Sequence, residues 1–275
     1  MTSENNLSNK VREVREQTLL LHKRAPGTRI ASSLSPVEFL VALYYNSPLQ
    51  VDPDNLLWEQ RDRLIMSKGH GVVSLYPILA DRGFYEAGEL ENISTQDSFL
   101  GVIPDAGVPG IESTHGALGH GPGLGLGMAM ALKHQNNPAQ VCILCGDGEM
   151  NEGSIWEAVM LAPKHQLDNM LLVVDDNKQS MLGFQKDFFT PTPFAQKLSA
   201  FGWDTTTCPG HDVQAIASYL QQVWRQPNNG QPRALVLETI KGYGVEALMG
   251  KELSHVLSLS PEQVDEAITA LERDQ

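Results

Sequence analysis

The chain has 275 residues, of which 41% are hydrophobic, and its formal net charge is −13 at pH 7. This negative balance disfavours nucleic acid and anionic membrane surfaces as partners, and no apolar stretch is long enough to suggest a membrane span. Residues 1–6 are polar and contain no signal-peptide core, so we expect a cytoplasmic protein.

The first part of the chain favours helices. Residues 8–24 place apolar side chains at helical spacing among charges, and Ser35 followed by Pro36 has the pattern of a helix start. We therefore expect a helical N-terminal segment over residues 8–60, with a short buried strand at 64–66 after it.

Strands then alternate with helices through the rest of the chain. Short apolar runs indicate strands, and apolar residues at helical spacing indicate helices. This alternation predicts an α/β fold with a doubly wound, mostly parallel sheet flanked by helices, and we expect residues 1–275 to form a single domain. The expected strands are 141–145, a run ending at 174, 201–205 and 234–239, and the expected helices are 128–134, 152–166, 212–225 and 261–273.

Acidic and amide side chains follow two of the expected strands. Asp147 lies in Gly-Asp-Gly directly after the run 141–145, and Asn177 follows the next run. A strand–helix–strand crossover brings both to one edge of a sheet, where their oxygens suit Mg²⁺ bound to a diphosphate. The alternative for Asp147 alone is a turn aspartate, but its pairing with Asn177, with Glu152 close behind, favours a metal site.

A glycine-dense segment covers residues 116–127. Glycine permits close backbone approach and positive φ angles, which suits a loop that binds a ligand. Packing of a helix against a sheet also demands small residues, so the segment alone is weak evidence. It lacks the Gly-x-x-x-x-Gly-Lys-Ser/Thr pattern, and a P-loop is therefore not expected.

Two histidines differ in their local support. His70 lies in Gly-His-Gly after the strand at 64–66, where the backbone can turn sharply and present the imidazole to a ligand. Beside phosphate oxygens such a group could donate hydrogen bonds or move protons near neutral pH. His255 has no comparable local motif, and its spacing alone suggests a filler residue.

Together these motifs resemble the N-terminal, diphosphate-binding half of transketolase, over almost the whole chain. Gly-Asp-Gly followed by Asn177 is similar to the thiamine diphosphate fingerprint, and the additional matches select transketolase among the enzymes that use this cofactor. The resemblance implies the thiamine diphosphate-binding fold. The segments that carry it are 62–70, 109–112, 116–121, 146–158 and 167–177.

The resemblance implies a set of metal and diphosphate ligands. Asp147, Asn177 and the backbone carbonyl of Gln179 would bind Mg²⁺ or Ca²⁺. Gly148 and His70 would contact the diphosphate, and His70 would also lie near the reacting carbon of the cofactor.

The resemblance also implies contacts to the rest of the cofactor. Gly116 and Leu118 would hold the aminopyrimidine through their backbone. Glu152 matches the carboxylate that links two cofactor sites across a dimer, and His255 matches a histidine that faces the thiazolium. By this resemblance His255, like His70 and Glu152, becomes an expected catalytic residue.

Two positions depart from the family pattern. Transketolases usually carry a sugar-contacting histidine where this chain has Arg29, and a second one where it has Ile103. A guanidinium suits a carboxylate or phosphate, and isoleucine suits an apolar group. We therefore expect Arg29 and Ile103 to face the substrate, and a keto donor or an aldehyde or keto acceptor unlike the usual ketose phosphates, such as a 2-oxo acid.

A complete transketolase is more than twice as long as this chain. Its following domain binds the pyrimidine ring and carries the glutamate needed to form the reactive carbanion. We expect no pyrimidine-binding domain in this chain. The expected partner is a separate C-terminal-half subunit, in an α2β2 assembly with an apolar interface that includes Trp156 and Met160. The pair would transfer a two-carbon ketol or acyl unit, and this chain alone would be inert.

Two alternatives stay open at this point. The chain could be a component of a 2-oxo acid decarboxylase or dehydrogenase, since such enzymes use the same cofactor geometry. It could also be a non-catalytic subunit that binds and regulates a partner, although the intact Asp147, Asn177, Glu152 and His70 favour an enzyme.

Overall fold

A five-stranded sheet forms the centre of the fold. The computed structural model describes residues 3–188 and 193–273. The sheet order is β1-β2-β3-β5-β4, and every neighbouring pair is parallel. All strand carboxyl ends therefore lie at one edge, where open parallel sheets bind ligands. The strands are β1 (Arg63–Met66), β2 (Val141–Gly146), β3 (Met170–Asp176), β4 (Asp204–Pro209) and β5 (Arg233–Glu238).

Nine α-helices lie within the described residues. None of these helices combines the length and the apolar composition that crossing a membrane requires. They are α1 (Ser3–Arg24), α2 (Ile30–Leu34), α3 (Val37–Asn46), α4 (Leu75–Asp81), α5 (Gly121–His134), α6 (Gly153–Lys164), α7 (Phe194–Ala200), α8 (Val213–Val223) and α9 (Pro261–Arg273).

The helices cover both faces of the sheet. Successive strand residues point to opposite faces, so Leu64 and Met66 join a core with α1, α3, α4 and α8, whereas Ile65 joins a second core with α5, α6 and α7. A third, smaller cluster joins α1, α2 and α9. The predicted doubly wound α/β fold is confirmed, and the sheet is parallel throughout the described residues.

Some predicted element bounds are wrong. The N-terminal helical segment ends at Asn46 rather than at residue 60, and residues 47–62 form turns and irregular backbone. Pro48, Pro53 and nearby aspartates explain the early end because they favour turns over helix.

The fourth strand lies further along the chain than predicted. It begins at Asp204 and runs through the β-branched residues 205–207. Trp203, which lies in the predicted strand, is instead buried before the observed one, and its indole N–H donates to the carbonyl of Val159 at 2.9 Å.

A buried ion pair joins the ends of β1 and β3. The ammonium of Lys68 contacts the carboxylate of Asp175, and both side chains are excluded from solvent. Ser35 donates its hydroxyl to Asp175 at 2.5 Å. It does not cap α3 as predicted, because the N-cap position is occupied by Pro36. The hydroxyl of Thr239 donates to the second oxygen of Asp175. Although burial opposes ionisation, Lys68 and these hydroxyls hold the pKa of Asp175 below its usual value.

Helix α5 approaches the sheet closely at one glycine. A Cβ added at Gly125 would lie 2.6 Å from Cγ1 of Ile143, whose side chain is fully buried. By contrast, a Cβ at Gly123 on the exposed face of the same helix would meet no atom within 4 Å. The glycine-dense segment is thus partly helical, and one of its glycines is required for helix–sheet packing.

Gly125→Ala and Gly123→Ala should change stability in opposite directions. A helical alanine gains up to about 1 kcal/mol over glycine, but overpacking the core at residue 125 costs about 1–3 kcal/mol. We expect Gly125→Ala to lower the free energy of unfolding and Gly123→Ala to raise it, measured by urea denaturation. Equal effects of the two substitutions would contradict the packing model.

Lys68→Met should be strongly destabilising because it leaves the charge of Asp175 buried and unpaired, at a cost of about 3–5 kcal/mol. The double variant Lys68→Met/Asp175→Asn removes that charge and should recover part of the loss. Lys23→Met breaks an exposed pair with Asp265 and should cost less than about 1 kcal/mol. Denaturation curves that show Lys68→Met and Lys23→Met to be equally mild would refute this account of the pair.

Candidate functional site

A cleft of about 480 Å³ opens at the carboxyl edge of the sheet. It lies over the ends of β2 and β3 and beneath the loop that precedes α5. Most of the residues predicted for the site line it. They are His70, Gly116, Leu118, Asp147, Gly148, Asn177, Gln179 and His255.

Asp147, directly after β2, carries an uncompensated carboxylate oxygen. Its Oδ1 accepts a hydrogen bond from the backbone N–H of Gly148 at 2.8 Å. Its Oδ2 is buried and has no hydrogen-bond partner among the described residues. Burial, together with the nearby charge of Asp175, raises the pKa of Asp147 to about 7. A desolvated oxygen in this state would gain from a cation beside it.

Asn177 and Gln179 lie in the turn after β3. The amide of Asn177 donates from Nδ2 to Asp175 at 3.3 Å and accepts at Oδ1 from the backbone N–H of Gln179 at 3.2 Å. The intervening residue, Lys178, has a φ of +63°, which allows this sharp reversal. Asp175 thus accepts from the nitrogen of the Asn177 amide, and the backbone N–H of Gln179 donates to its oxygen.

The chemistry of these groups fits a hard divalent cation. No group of three or more His, Cys, Asp or Glu side chains that could hold a metal occurs among the residues described. The predicted set instead combines one carboxylate, one amide oxygen and one backbone carbonyl, from Asp147, Asn177 and Gln179. Such oxygen sets suit Mg²⁺ or Ca²⁺ when a ligand's phosphates complete the shell.

Two histidines come together on the opposite side of the cleft. The ring centroids of His70 and His255 are 4.9 Å apart, although the two residues are far apart in the chain. Burial lowers the pKa of His255 to about 4, and the charge of Lys241 adds to the effect. Burial and the charge of Lys68 also hold the pKa of His70 well below its usual value. Both rings are therefore neutral at pH 7.

Lys241 is a site residue that the sequence reasoning missed. Its ammonium lies 3.2 Å from Nδ1 of His255 and donates to the carbonyls of Gln179 and Ser180 at 3.3 and 3.4 Å. Burial, then the charge of Lys68, lowers the pKa of Lys241 to about 8. The signal in the sequence was its place just after the last strand, at the same sheet edge.

Glu149 was also missed, although it lies within the Gly-Asp-Gly-Glu motif. Its buried carboxylate accepts hydrogen bonds from the backbone N–H groups of Gly119 and Gly146 at 2.9 and 3.2 Å, and from the hydroxyl of Ser67. This single side chain ties the loop of residues 116–121 to the ends of β1 and β2.

Three predicted residues lie outside the lining of the cleft. Glu152 is exposed at the start of α6 and packs beside Gly119. Arg29 is exposed at the start of α2, close enough for its charge to lower the pKa of His255. Ile103 is 44% exposed, and its Cδ1 lies 3.6 Å from a Cβ placed on Gly116. Arg29 thus lies near His255 and Ile103 near Gly116, and both of these neighbours line the cleft.

Known proteins are similar to this chain in sequence and in fold. The family model for the transketolase thiamine diphosphate binding domain matches residues 24–274. An apulose-4-phosphate transketolase subunit of Actinobacillus succinogenes is 34% identical over 267 residues, covering 96% of this chain and 95% of the relative. A 6-deoxy-6-sulfo-D-fructose transketolase subunit from a Clostridium species is 35% identical over 246 residues. The match covers 89% of this chain and 88% of that relative.

A solved structure agrees with these relatives. Transketolase from Campylobacter jejuni superimposes with a TM-score of 0.86 and 28% sequence identity over 98% of this chain. The match covers 42% of that transketolase, so the chain spans less than half of its length. The chain belongs to the transketolase family and contains its thiamine diphosphate-binding domain.

Proposed function

We propose that this chain is the cofactor-anchoring subunit of a two-component, thiamine diphosphate-dependent transketolase-like enzyme. One observation carries the proposal: a buried oxygen of Asp147, which has no hydrogen-bond partner in the part of the chain that the structure describes, lies in a cleft with Asn177, Gln179 and Lys241. A divalent cation between the protein oxygens and a diphosphate would satisfy that oxygen.

Residues of this chain have distinct roles in the proposal. Asp147, Asn177 and the Gln179 carbonyl hold Mg²⁺ or Ca²⁺, while the backbone of Gly148 and the ammonium of Lys241 meet the diphosphate. The bound cofactor supplies a carbon nucleophile that can store electrons after attack on a carbonyl.

The histidines act beside the reacting carbon in this proposal. Lys241 and Ser32 both face Nδ1 of His255, and because an ammonium can only donate, the proton of the neutral ring is assigned to Nε2. His255 and His70 can then donate to oxygen atoms of a bound substrate without adding charge to the cleft.

The loop before α5 holds the other end of the cofactor. The exposed backbone of Gly116 and Leu118 offers N–H and carbonyl groups to the aminopyrimidine, and Glu149 keeps the loop in place. Glu152 is exposed beside Gly119, and this exposure supports the proposed role in which it contacts a second protomer and links two cofactor sites.

Asp147→Asn should abolish magnesium-dependent cofactor binding. Since changes around a metal ligand already cost about 10–100-fold, loss of the ligand itself should raise the Kd for thiamine diphosphate by more than about 100-fold. Titration calorimetry in saturating Mg²⁺ measures this, with the exposed-residue substitution Asp97→Asn as control. Failure of the wild-type chain to bind the cofactor, even with its partner present, would refute the proposed function.

The partner is a separate subunit that supplies the pyrimidine-binding domain, and we propose an α2β2 assembly. Relatives that are themselves named as transketolase subunits match this chain over most of their length. The adjacent helices α5 and α6 expose Leu124, Met160 and Leu161. This α5–α6 surface continues past Trp156 and Asn151 to the cleft, so a partner bound there would close the open side of the site.

The chain alone should not catalyse carboligation. Addition of the purified product of the neighbouring gene should restore turnover. Met160→Glu places a charge on the α5–α6 surface and should weaken association at least about tenfold, measured by analytical ultracentrifugation. Leu57→Glu, at a residue 86% exposed elsewhere, is the matched control. Robust turnover by the chain alone would overturn the two-component proposal.

The substrate is a keto donor that carries an anionic group. Arg29 adds a guanidinium near His255, and a guanidinium binds carboxylate, phosphate or sulfonate oxygens in pairs. The names of the two relatives refer to a sugar phosphate and a sulfonated sugar, which is consistent with an anion at this position. Ile103 adds an apolar contact near Gly116.

Arg29→Met should raise KM for an anionic donor by about tenfold or more, since loss of a charged hydrogen bond costs about 1.5–3 kcal/mol. Turnover of a neutral ketose should change little, and Arg29→Lys should recover only part of the loss. Steady-state kinetics of the reconstituted pair measure this. An equal increase in KM for the charged and neutral donors would show that Arg29 does not bind the anionic group.

A further inference from the structure

The loop after β5 places Lys241 in the cleft and is held from both sides. Toward the cleft, the hydroxyl of Thr239 donates to Asp175. Further along, the backbone N–H of Gly242 donates to the carbonyl of Ala31 at 2.9 Å, and Gly242 has a φ of +76°. The position of the ammonium therefore depends on the backbone of residues 239–243.

On its other side this loop contacts His211, which lies just after β4. The imidazole stacks on the ring of Tyr243, with centroids 3.6 Å apart and planes 11° apart. Its Nε2 accepts a hydrogen bond from the backbone N–H of Ile240 at 2.8 Å. One imidazole thus contacts Ile240 and Tyr243, the two residues that flank Lys241 and Gly242 in the chain.

The acceptor role of Nε2 determines the state of the ring. Nε2 must be unprotonated to accept from Ile240, so the proton of the neutral imidazole is on Nδ1. Nδ1 lies 3.3 Å from Oε2 of the buried Glu38, close enough for attraction but without hydrogen-bond alignment. Glu38 therefore favours the tautomer that the loop requires.

Arg15 completes the cluster from helix α1. Its Nη2 donates to Glu38 at 2.5 Å, its Nε donates to the carbonyl of Tyr243 at 3.3 Å, and its guanidinium lies 5.1 Å from the Tyr243 ring. Arg15 and Glu38 are 5% and 2% exposed. Four elements thus meet around one imidazole: α1, α3 and the loops after β4 and β5.

We propose that His211 is a positioning residue that holds the β5 loop so that the ammonium of Lys241 faces the diphosphate. The proposal rests on the proposed function, because it takes Lys241 as a contact of the bound cofactor. His211 itself is not among the residues that line the cleft. Its effect on binding is therefore indirect, and we assign it to the loop residue that lines the cleft, Lys241.

A double-mutant cycle separates this role from simple stabilisation of the fold. The variants are His211→Ala, Lys241→Met and their combination, with His134→Ala, at an exposed histidine, as the control. Calorimetry gives the Kd for thiamine diphosphate in saturating Mg²⁺, and thermal unfolding confirms that each variant is folded. We expect His211→Ala to weaken binding about tenfold and to have less than about a twofold effect in the Lys241→Met background.

His211→Gln tests the hydrogen bond directly. A glutamine can place an acceptor near the position of Nε2, so this variant should recover most of the lost affinity. If His211→Ala does not fold, Tyr243→Leu, which removes the stacked ring, takes its place and should show the same dependence on Lys241.

The outcomes distinguish the two proposals. Absence of wild-type binding overturns the proposed function. Two other results, each with normal wild-type binding, overturn only the positioning role of His211. One is no loss of affinity in His211→Ala, and the other is a loss of affinity that is equal in the wild-type and Lys241→Met backgrounds.

Discussion

The site depends on the contrast between two buried carboxylates at neighbouring strand ends. Asp175 is balanced by the ammonium of Lys68 and by the hydroxyls of Ser35 and Thr239. Asp147 has one backbone donor and one buried oxygen without a partner in the described part of the chain. Burying a charge is costly unless it is paired. The charge of Asp175 is already paired within the protein, so Asp147 is the carboxylate that would gain from a bound cation.

Local charge in the cleft differs from the charge of the whole protein. The chain carries a formal charge of −13, yet Lys68 and Lys241 lie inside the cleft, where burial strengthens their fields. Burial, and then these lysine charges, lower the pKa values of His70 and His255, so both imidazoles are neutral. An anionic ligand would thus be attracted by the ammonium of Lys241, while the imidazoles stay available as neutral hydrogen-bond partners.

Much of the fold and part of the site could be predicted from the chain. Alternating strands and helices indicated a parallel doubly wound sheet, and the Gly-Asp-Gly motif with Asn177 correctly indicated a shared sheet edge, because parallel strands end on the same side. Element bounds were predicted less accurately. Trp203 was included in a predicted strand, but it lies before β4 and is buried by packing beneath α6. The roles assigned to the individual site residues stay predictions.

The amino-acid sequence by itself determined the fold class, the family and the placement of Asp147 and Asn177, because strand period and motif spacing are local properties. Only the tertiary structure decided that His255 meets His70, that Lys241 enters the cleft, and that Glu149 ties the glycine loop to the sheet. These contacts join residues distant in the chain, and no local pattern specifies them. They arise because the parallel sheet brings the strand ends together at one edge, where most of the buried polar groups find partners in one another.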